Sequence, residues 1–304
     1  VGVTLGGLVQ WGFQLPLFFQ KGYDLRADYR FRHPGLRKMS TLIAPATMGM
    51  AVAQINIFVS TILASYLSQG SITYLYYSMR LIQFPVGIFG VAMGMAVLPT
   101  LSEHAVRGEM EKLREDFSFA LRLLFFITVP AMIGLIALRE PVVNILFQRG
   151  MFDYGATVGT ADALLFYATG IWAIVGVRIV TATFYSLNDT RTPVKVAAAA
   201  VVINIIMSLF LMNPLKHSGL AFANAIASSV NFILLFYFLR RRLGRIDARR
   251  ILKSFIKICL ASIIMGVMGW RILHGEMWMT SGRVAEKALY LSGTIVACVG
   301  IYLT

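Results

Sequence analysis

The chain has 304 residues, 58% of them hydrophobic and only 14% charged, with a mean hydropathy of +0.72. That is far more apolar surface than one soluble core buries, which excludes a soluble enzyme or a disordered chain and leaves a polytopic membrane protein. The formal net charge of +14 has its explanation in loop topology and calls for no nucleic acid.

Uncharged runs close to the roughly 17–25 residues that cross a bilayer recur along the chain. The first occupies 1–20 and carries Gly2, Gly6, Gln10 and Gln14, which read as interhelical packing. A basic loop follows at 21–38. Residues 39–79 carry no charge and are too long for one helix, so Ser68-Gln69-Gly70-Ser71 divides them into a span ending near Leu67 and another beginning near Thr73. That second span runs through Arg80 into the uncharged stretch 81–102. Residues 103–116 suggest a short surface helix with Glu109/Lys112 and Glu111/Arg114 at i,i+3 spacing. Further spans are expected at 117–138, 161–186, 196–215, 218–239, 254–273 and from 286 onward, with Thr192-Pro193 opening one of them. This makes nine helices. Each satisfies its own backbone, so the expected fold class is an all-α membrane bundle. The last two helices should pack outside the others and form an apolar groove, with Trp270 and Trp278 at its rim as interface anchors.

The Lys and Arg residues orient the bundle. Loops 21–38, 103–116, 187–195 and 240–253 hold 6, 3, 2 and 7 of them, 18 in all, whereas the alternate connections hold 6. The first set is therefore cytoplasmic, which also puts the end of the last span on the cytoplasmic side. The cluster Arg240–Arg250 suits anionic lipid headgroups. Four cations, Arg80, Arg122, Arg178 and Lys257, lie inside spans or at their margins. Val1 opens inside an apolar run with no initiator Met and Thr304 closes inside another, so a fragment is expected. Cys259 and Cys298 fall in spans and read as buried hydrophobes.

Arg80 is the leading candidate for function. A charged side chain inside a membrane helix costs roughly 2.5–3.5 kcal/mol on insertion scales and is kept mainly where it faces a cavity, a partner or a substrate. Its planar fork suits phosphate oxygens. Snorkelling beside Tyr74, Tyr76 and Tyr77 is the structural alternative. Gln83 lies one turn on and suits either a head group or helix packing. Pro85, followed by Gly87 and Gly90, permits a kink and the close approach of a neighbour. None of the 14 Asp and Glu residues falls mid-span, Asp162 and Glu286 being placed at helix starts, and the four histidines show no acidic spacing, so no metal or other cofactor is indicated.

Several blocks carry a resemblance. Gly6-Gly7-Leu8-Val9-Gln10, Ala64-Ser65-Tyr66-Leu67, the run Tyr76-Tyr77-Ser78-Met79-Arg80-Leu81-Ile82-Gln83-Phe84-Pro85-Val86-Gly87-Ile88-Phe89-Gly90-Val91-Ala92 and Leu98-Pro99-Thr100-Leu101-Ser102 resemble the MurJ (MviN) family of lipid II flippases. Phe147-Gln148-Arg149-Gly150-Met151-Phe152, Asp189-Thr190-Arg191-Thr192-Pro193 and Pro214-Leu215-Lys216-His217-Ser218-Gly219-Leu220 add to it. The resemblance implies a two-lobe fold of fourteen helices, of which this chain matches helices 6–14. On that basis 1–20 is the last helix of the N-terminal lobe, 21–38 an inter-lobe linker, 39–242 a six-helix lobe and 243–304 two additional helices. It implies lipid II as cargo, moved across the bacterial inner membrane by alternating access, with Arg80 and Gln83 at the diphosphate and head group. It also implies a monomer and no enzymatic reaction. Some relatives build a sodium site from the first, fifth and sixth helices of this lobe. The nearest residues here, Gln54, Asn56, Asn204, Ser208 and Asn224, are all neutral, which disfavours sodium and leaves the membrane potential as an adequate drive. Two rivals stay open. One is a related exporter, either a multidrug antiporter or a flippase for another polyprenyl-linked sugar. The other is a membrane enzyme acting on polyprenyl diphosphates.

Overall fold

A computed structural model describes residues 2–22, 54–244, 246–273, 275–279 and 282–303. Every regular element among them is helical. The chain divides into two units, Val1–Met48 and Gly49–Thr304. In the first, helix α1 covers Gly2–Gln20. The expected linker beyond Gly22 and the opening of the next span, 39–53, lie outside the described residues.

The second unit is a bundle. It comprises α2 (Gln54–Ser65), α3 (Ser71–Pro85), a π-helical stretch Val86–Val91, α4 (Ala92–Arg107), α5 (Met110–Ala137), α6 (Arg139–Phe147), α7 (Tyr154–Ala168), α8 (Ile171–Ser186), α9 (Arg191–Leu243), α10 (Ala248–Leu273) and α11 (Val284–Leu303). Among the described residues five helical runs are long and apolar enough to cross a bilayer: Ser71–Arg107, α5, α9, α10 and α11. The pair α7 and α8, bent by 41°, brings the number to six when it is counted as one broken span. The sequence expectation of nine is larger because 191–243 reads as two spans and because 1–20 and 39–67 are counted with them.

The division of 191–243 has a structural basis. Lys216 sits at φ 51° and ψ −132°, and a Cβ on Gly219 would lie 2.1 Å from the Leu211 carbonyl oxygen. Residues eight apart meet this way only if the chain reverses, so α9 consists of two arms, 191–215 and 217–243. The break expected at 68–71 is also present. Gly70 has φ 94°, a backbone that residues with a Cβ rarely adopt, and it opens α3.

Three expectations about helix bounds need correction. Residues 103–116 are not a separate surface helix: α4 continues to Arg107, ends at Gly108 with φ 72°, and α5 starts at Met110. The span placed at 161–186 begins earlier, at Tyr154, and is broken at Thr169-Gly170, where a Cβ on Gly170 would come within 2.9 Å of Ala225 Cα on the second arm of α9. Helix α9 starts before Thr192, at Arg191 with Thr190 as its N-cap, and Asp189 just ahead supports that start: its carboxylate accepts from the Arg191 and Thr192 amides and the Thr192 hydroxyl at 2.8–3.1 Å.

The core lies between α5, α8 and the second arm of α9. Phe117, Leu121, Phe125 and Val129 of α5 meet Ile171, Val175, Ile179 and Phe184 of α8. Phe125, Trp172, Phe232 and Phe255 form a ring cluster with centroids 5.0–6.4 Å apart. Lipid tails give little hydrophobic drive between helices, so close packing at small residues carries the association. Gly90, Gly176 and Gly266 are such points: an added Cβ would meet Val175, Phe232 and Ile133 at 3.0, 2.6 and 2.5 Å. Gly266 brings α10 against α5, and the Tyr302 hydroxyl of α11 donates to the Phe126 carbonyl at 2.8 Å. The last two helices therefore dock on the outer side of α5. Trp270 is partly exposed, but Trp278 is only 4% exposed and is not an interface anchor. Its indole donates to the Leu273 carbonyl at 2.7 Å, which turns it inward.

Candidate functional site

Arg80 projects from the exposed side of α3, nine residues after Ser71, hence about 13 Å along the helix at 1.5 Å per residue. Its Nη1 donates to Gln83 Oε1 at 3.1 Å and its Nη2 to the Tyr76 hydroxyl at 3.0 Å. The guanidinium carbon also lies 5.0 Å from the Tyr76 ring centroid. Both partners are neutral, and among the described residues no carboxylate pairs with it. The fork is oriented by its own helix while its charge stays uncompensated, which suits it to an incoming anion.

Pro85 follows this pair and is buried, as is Gly90, whereas Gly87 is exposed. The proline does not interrupt the helical run, which continues from Ser71 to Arg107. The chain passes instead into the π turn Val86–Val91, which accommodates the missing N–H of Pro85 by a local change of register. Gly90 then lets this turn approach α8. Pro85 and Gly90 thus shape the helix below Arg80, while Gly87 leaves its exposed face clear, with nothing within 4 Å of where its Cβ would stand.

Of the expected ion-site residues, two come together. Asn204 Nδ2 donates to Asn56 Oδ1 at 2.6 Å, joining the first arm of α9 to α2. Asn204 and Ser208, one turn apart, are 2% and 1% exposed, and Asn204 Oδ1 and Ser208 Oγ are buried with no hydrogen-bond partner. Gln54 is exposed at the start of α2 and has no hydrogen bond to this group.

The carboxylates and histidines also need correction. Asp162 lies well inside α7, half-buried and close enough to His217 to interact electrostatically. His104 does have acidic neighbours. Its ring nitrogens lie 2.9 Å from Glu109 and 3.0 Å from Asp116, fastening the end of α4 to the start of α5. The His104 hydrogen bond, helped by Lys112, holds the Glu109 carboxyl below its ordinary range. No group of three or more His, Cys, Asp or Glu side chains among the described residues is placed to hold a metal ion.

Residues 1–290 match the family model described as lipid II flippase MurJ. The chain belongs to this family. A probable lipid II flippase MurJ from Vibrio cholerae is 33% identical over 304 residues, covering 100% of this chain and 58% of that protein. One from Haemophilus influenzae is 36% identical over 280 residues, 89% of this chain and 54% of that protein. The chain thus spans somewhat more than half the length of the MurJ relatives it matches. A solved lipid II flippase MurJ in an inward closed conformation aligns with a TM-score of 0.74 at 24% identity, over 91% of this chain and 57% of that one. A MOP superfamily transporter from Pyrococcus furiosus aligns with a TM-score of 0.57 at 14% identity, over 85% of this chain. These two likenesses agree on the helical fold.

Two features of this MurJ-family chain escaped the sequence reading. One is a cleft beside Arg178, where Thr181 and Tyr185 follow at i+3 and i+7 on the same helix face; that spacing was available as a signal. The other is Lys287. It stands inside α11 at 2% exposure, donating to Asn144 Oδ1 at 3.0 Å and lying 5.8 Å from the Trp278 ring centroid. Nothing in the local pattern marks a lysine near a helix start as buried.

Proposed function

We propose that this chain forms the part of a lipid II flippase that carries Arg80 to the diphosphate of the cargo, in the inner membrane and with its last helix ending on the cytoplasmic side. Moving a diphosphate-linked sugar head through hydrocarbon unaided is prohibitive, and a cation at mid-depth lowers that barrier. The observation that carries the reading is the Arg80 guanidinium, exposed inside an apolar run and oriented by Tyr76 and Gln83, with no carboxylate among the described residues to neutralise it. A phosphate oxygen can replace either neutral acceptor, so binding needs no ion pair to be broken first. Gln83 then serves the head group, and Pro85, Gly87 and Gly90 shape the helix below. The domain reading, with 39–242 as a six-helix lobe and 243–304 as two helices outside it, fits the docking of α10 on α5. Arg240, Arg241, Arg249 and Arg250 would meet anionic headgroups, and the working unit would be a monomer.

The deciding experiment is rescue of bacteria depleted of their own lipid II flippase by the gene encoding this chain. Arg80→Ala should abolish rescue at normal protein level, and Arg80→Lys should recover little because an ammonium loses the bidentate fork. Full rescue by Arg80→Ala at normal expression would rule out the role.

The unpartnered oxygens of Asn204 and Ser208 beside Asn56 support a second element, a site for a coupling cation. Sodium-dependent transport that is lost in Asn204→Leu would support it, and transport indifferent to sodium would sink it in favour of the membrane potential.

A further inference from the structure

A second cation faces a ready-made cleft. Between α4, α8 and the second arm of α9 lies a cavity of about 510 Å³, and its polar lining is Arg178, Thr181, Tyr185, Ser228 and Asn231, with Gly94 on the facing helix. Gly94 opens it, because a Cβ there would lie 3.7 Å from Arg178 Cβ and any larger side chain would project between the helices. Arg178 is exposed to this space, and no hydrogen bond or ion pair engages its guanidinium among the described residues. The contrast with Arg122 matters, since that side chain, also inside a span, donates its Nε to the Ser118 carbonyl of its own helix at 3.2 Å. Across the cleft Asn231 Oδ1 is buried with no partner.

These groups ask for opposite things. A free guanidinium wants acceptor oxygens with negative charge, and an orphaned amide oxygen wants a donor. A simple anion serves only the first. A phosphate attached to a hydroxylated carrier serves both, and the apolar flank formed by Val91, Met95 and Leu98 suits a lipid. Along the continuous run Ser71–Arg107, Gly94 lies fourteen residues beyond Arg80, about 20 Å at 1.5 Å per residue. Exposed or part-exposed positions Arg80, Gln83, Gly87, Val91 and Gly94 connect the two at three- or four-residue steps.

We propose that this cleft seats the phosphate of a membrane amphiphile whose head group carries hydroxyls, Arg178 pairing with the phosphate and Asn231 accepting from a hydroxyl. It is a second anchoring station on the face that begins at Arg80. The proposal deepens the flippase reading and rests on it only for which amphiphile is the physiological one. Two sources share the chemistry, a polyprenyl diphospho-sugar in transit and a resident phosphoglycerol lipid.

The test is native mass spectrometry of the protein encoded by the gene, purified in detergent, with three probes: a short-chain polyprenyl diphospho-sugar, phosphatidylglycerol and inorganic pyrophosphate. Arg178→Ala should weaken binding of a lipid probe about tenfold to a hundredfold, the range for a charge-assisted contact. Gly94→Leu, which fills the cleft without touching a charge, should weaken it comparably, and Asn231→Leu should do so several-fold. Arg178-dependent binding of the diphospho-sugar identifies cargo; the same dependence for phosphatidylglycerol alone identifies a resident lipid, and either upholds the site. Equal binding of inorganic pyrophosphate overturns it, because the cleft would then read a bare anion. Unchanged lipid binding in Arg178→Ala and Gly94→Leu also overturns it. The two readings fail separately: normal rescue by Arg80→Ala with Arg178-dependent binding intact removes the flippase role alone, and the reverse pattern removes this site alone.

Discussion

Arg80 and Lys287 are both cations inside membrane helices, each hydrogen-bonded to a side-chain amide oxygen and each near an aromatic ring, at 5.0 Å for Arg80 and 5.8 Å for Lys287. Their surroundings differ in one respect that decides their roles. The partners of Arg80, Tyr76 and Gln83, belong to its own helix, so orienting the guanidinium requires no tertiary contact and leaves it open to the outside. The partners of Lys287 come from α6 and from the short turn Glu276–Trp278, and Asn144 reaches on to the Trp278 carbonyl at 2.6 Å. Lys287 therefore ties three elements into one buried knot. A cation with local partners can exchange them for a ligand, whereas one with remote partners holds the fold.

The largest expected effect breaks this contrast if it fails. Lys287→Ala removes a buried side chain and takes one donor from the Asn144 amide oxygen, so stability should fall by about 2–4 kcal/mol. Thermal unfolding of the purified protein should show a shift of several degrees, with Arg80→Ala within about 0.5 kcal/mol of wild type because its site is exposed. Equal losses in the two variants would mean that Arg80 is structural as well. Asn144→Ala should come next, at about 1–3 kcal/mol, since it removes one acceptor of the ammonium and frees the Trp278 carbonyl but keeps most of the packing.

A third cation extends the scale to the water-exposed surface. Arg242 pairs with Asp189, just ahead of α9. Burial works against the Asp189 carboxylate, but the Thr192 amide and hydroxyl and then the Arg242 charge outweigh it, and its pKa lies below the ordinary 3.8. A depressed folded pKa means that the contribution is fully present above the unfolded value and is lost as pH falls through the folded one. Asp189→Asn should therefore lower stability by no more than about 1 kcal/mol at pH 7, where the pair is half-exposed and screened. The deficit should persist unchanged down to pH 5, and one that vanished between pH 7 and 5 would contradict the assignment.

How far the sequence revealed all this depended on the range of the interaction. The uncharged runs, the break at 68–71, the reversal at Lys216 and the isolation of Arg80 are local properties, and each could be read from neighbours within one or two helical turns. The union of Asn56 with Asn204 became legible once the family resemblance supplied the third dimension. What stayed hidden was set by distant partners. The depth of Lys287 depends on Asn144, 143 positions away. The inward turn of Trp278 belongs to the same knot, so an amphipathic ring expected at the interface lies in the core. Asp162 was misplaced because α7 starts seven residues earlier than its hydropathy suggested, with the Asp153 side chain accepting from the Ala156 amide as its cap. The Arg178 cleft needed three helices to exist before it could be seen.

The smallest expected effect probes the exchange that Arg80 is meant to undergo. Tyr76→Phe removes the hydroxyl that accepts from Nη2 at 3.0 Å and keeps the ring beneath the guanidinium. If the hydroxyl only parks the fork until phosphate replaces it, its loss deprives the free state and leaves the bound state untouched. A hydrogen bond from the charged guanidinium contributes about 1.5–3 kcal/mol where water is excluded, but at this exposed site water takes the place of the hydroxyl, so affinity for a diphosphate probe should change by less than about threefold and rescue should stay normal. Tyr76→Leu also removes the ring, which at an exposed site adds about 0.5–1 kcal/mol, and should weaken binding by a further two- to fivefold. Loss of rescue in Tyr76→Phe as complete as in Arg80→Ala would show the opposite arrangement: a hydroxyl that stays in the bound site and contacts the cargo itself, with Arg80 and Tyr76 acting as one fixed pair.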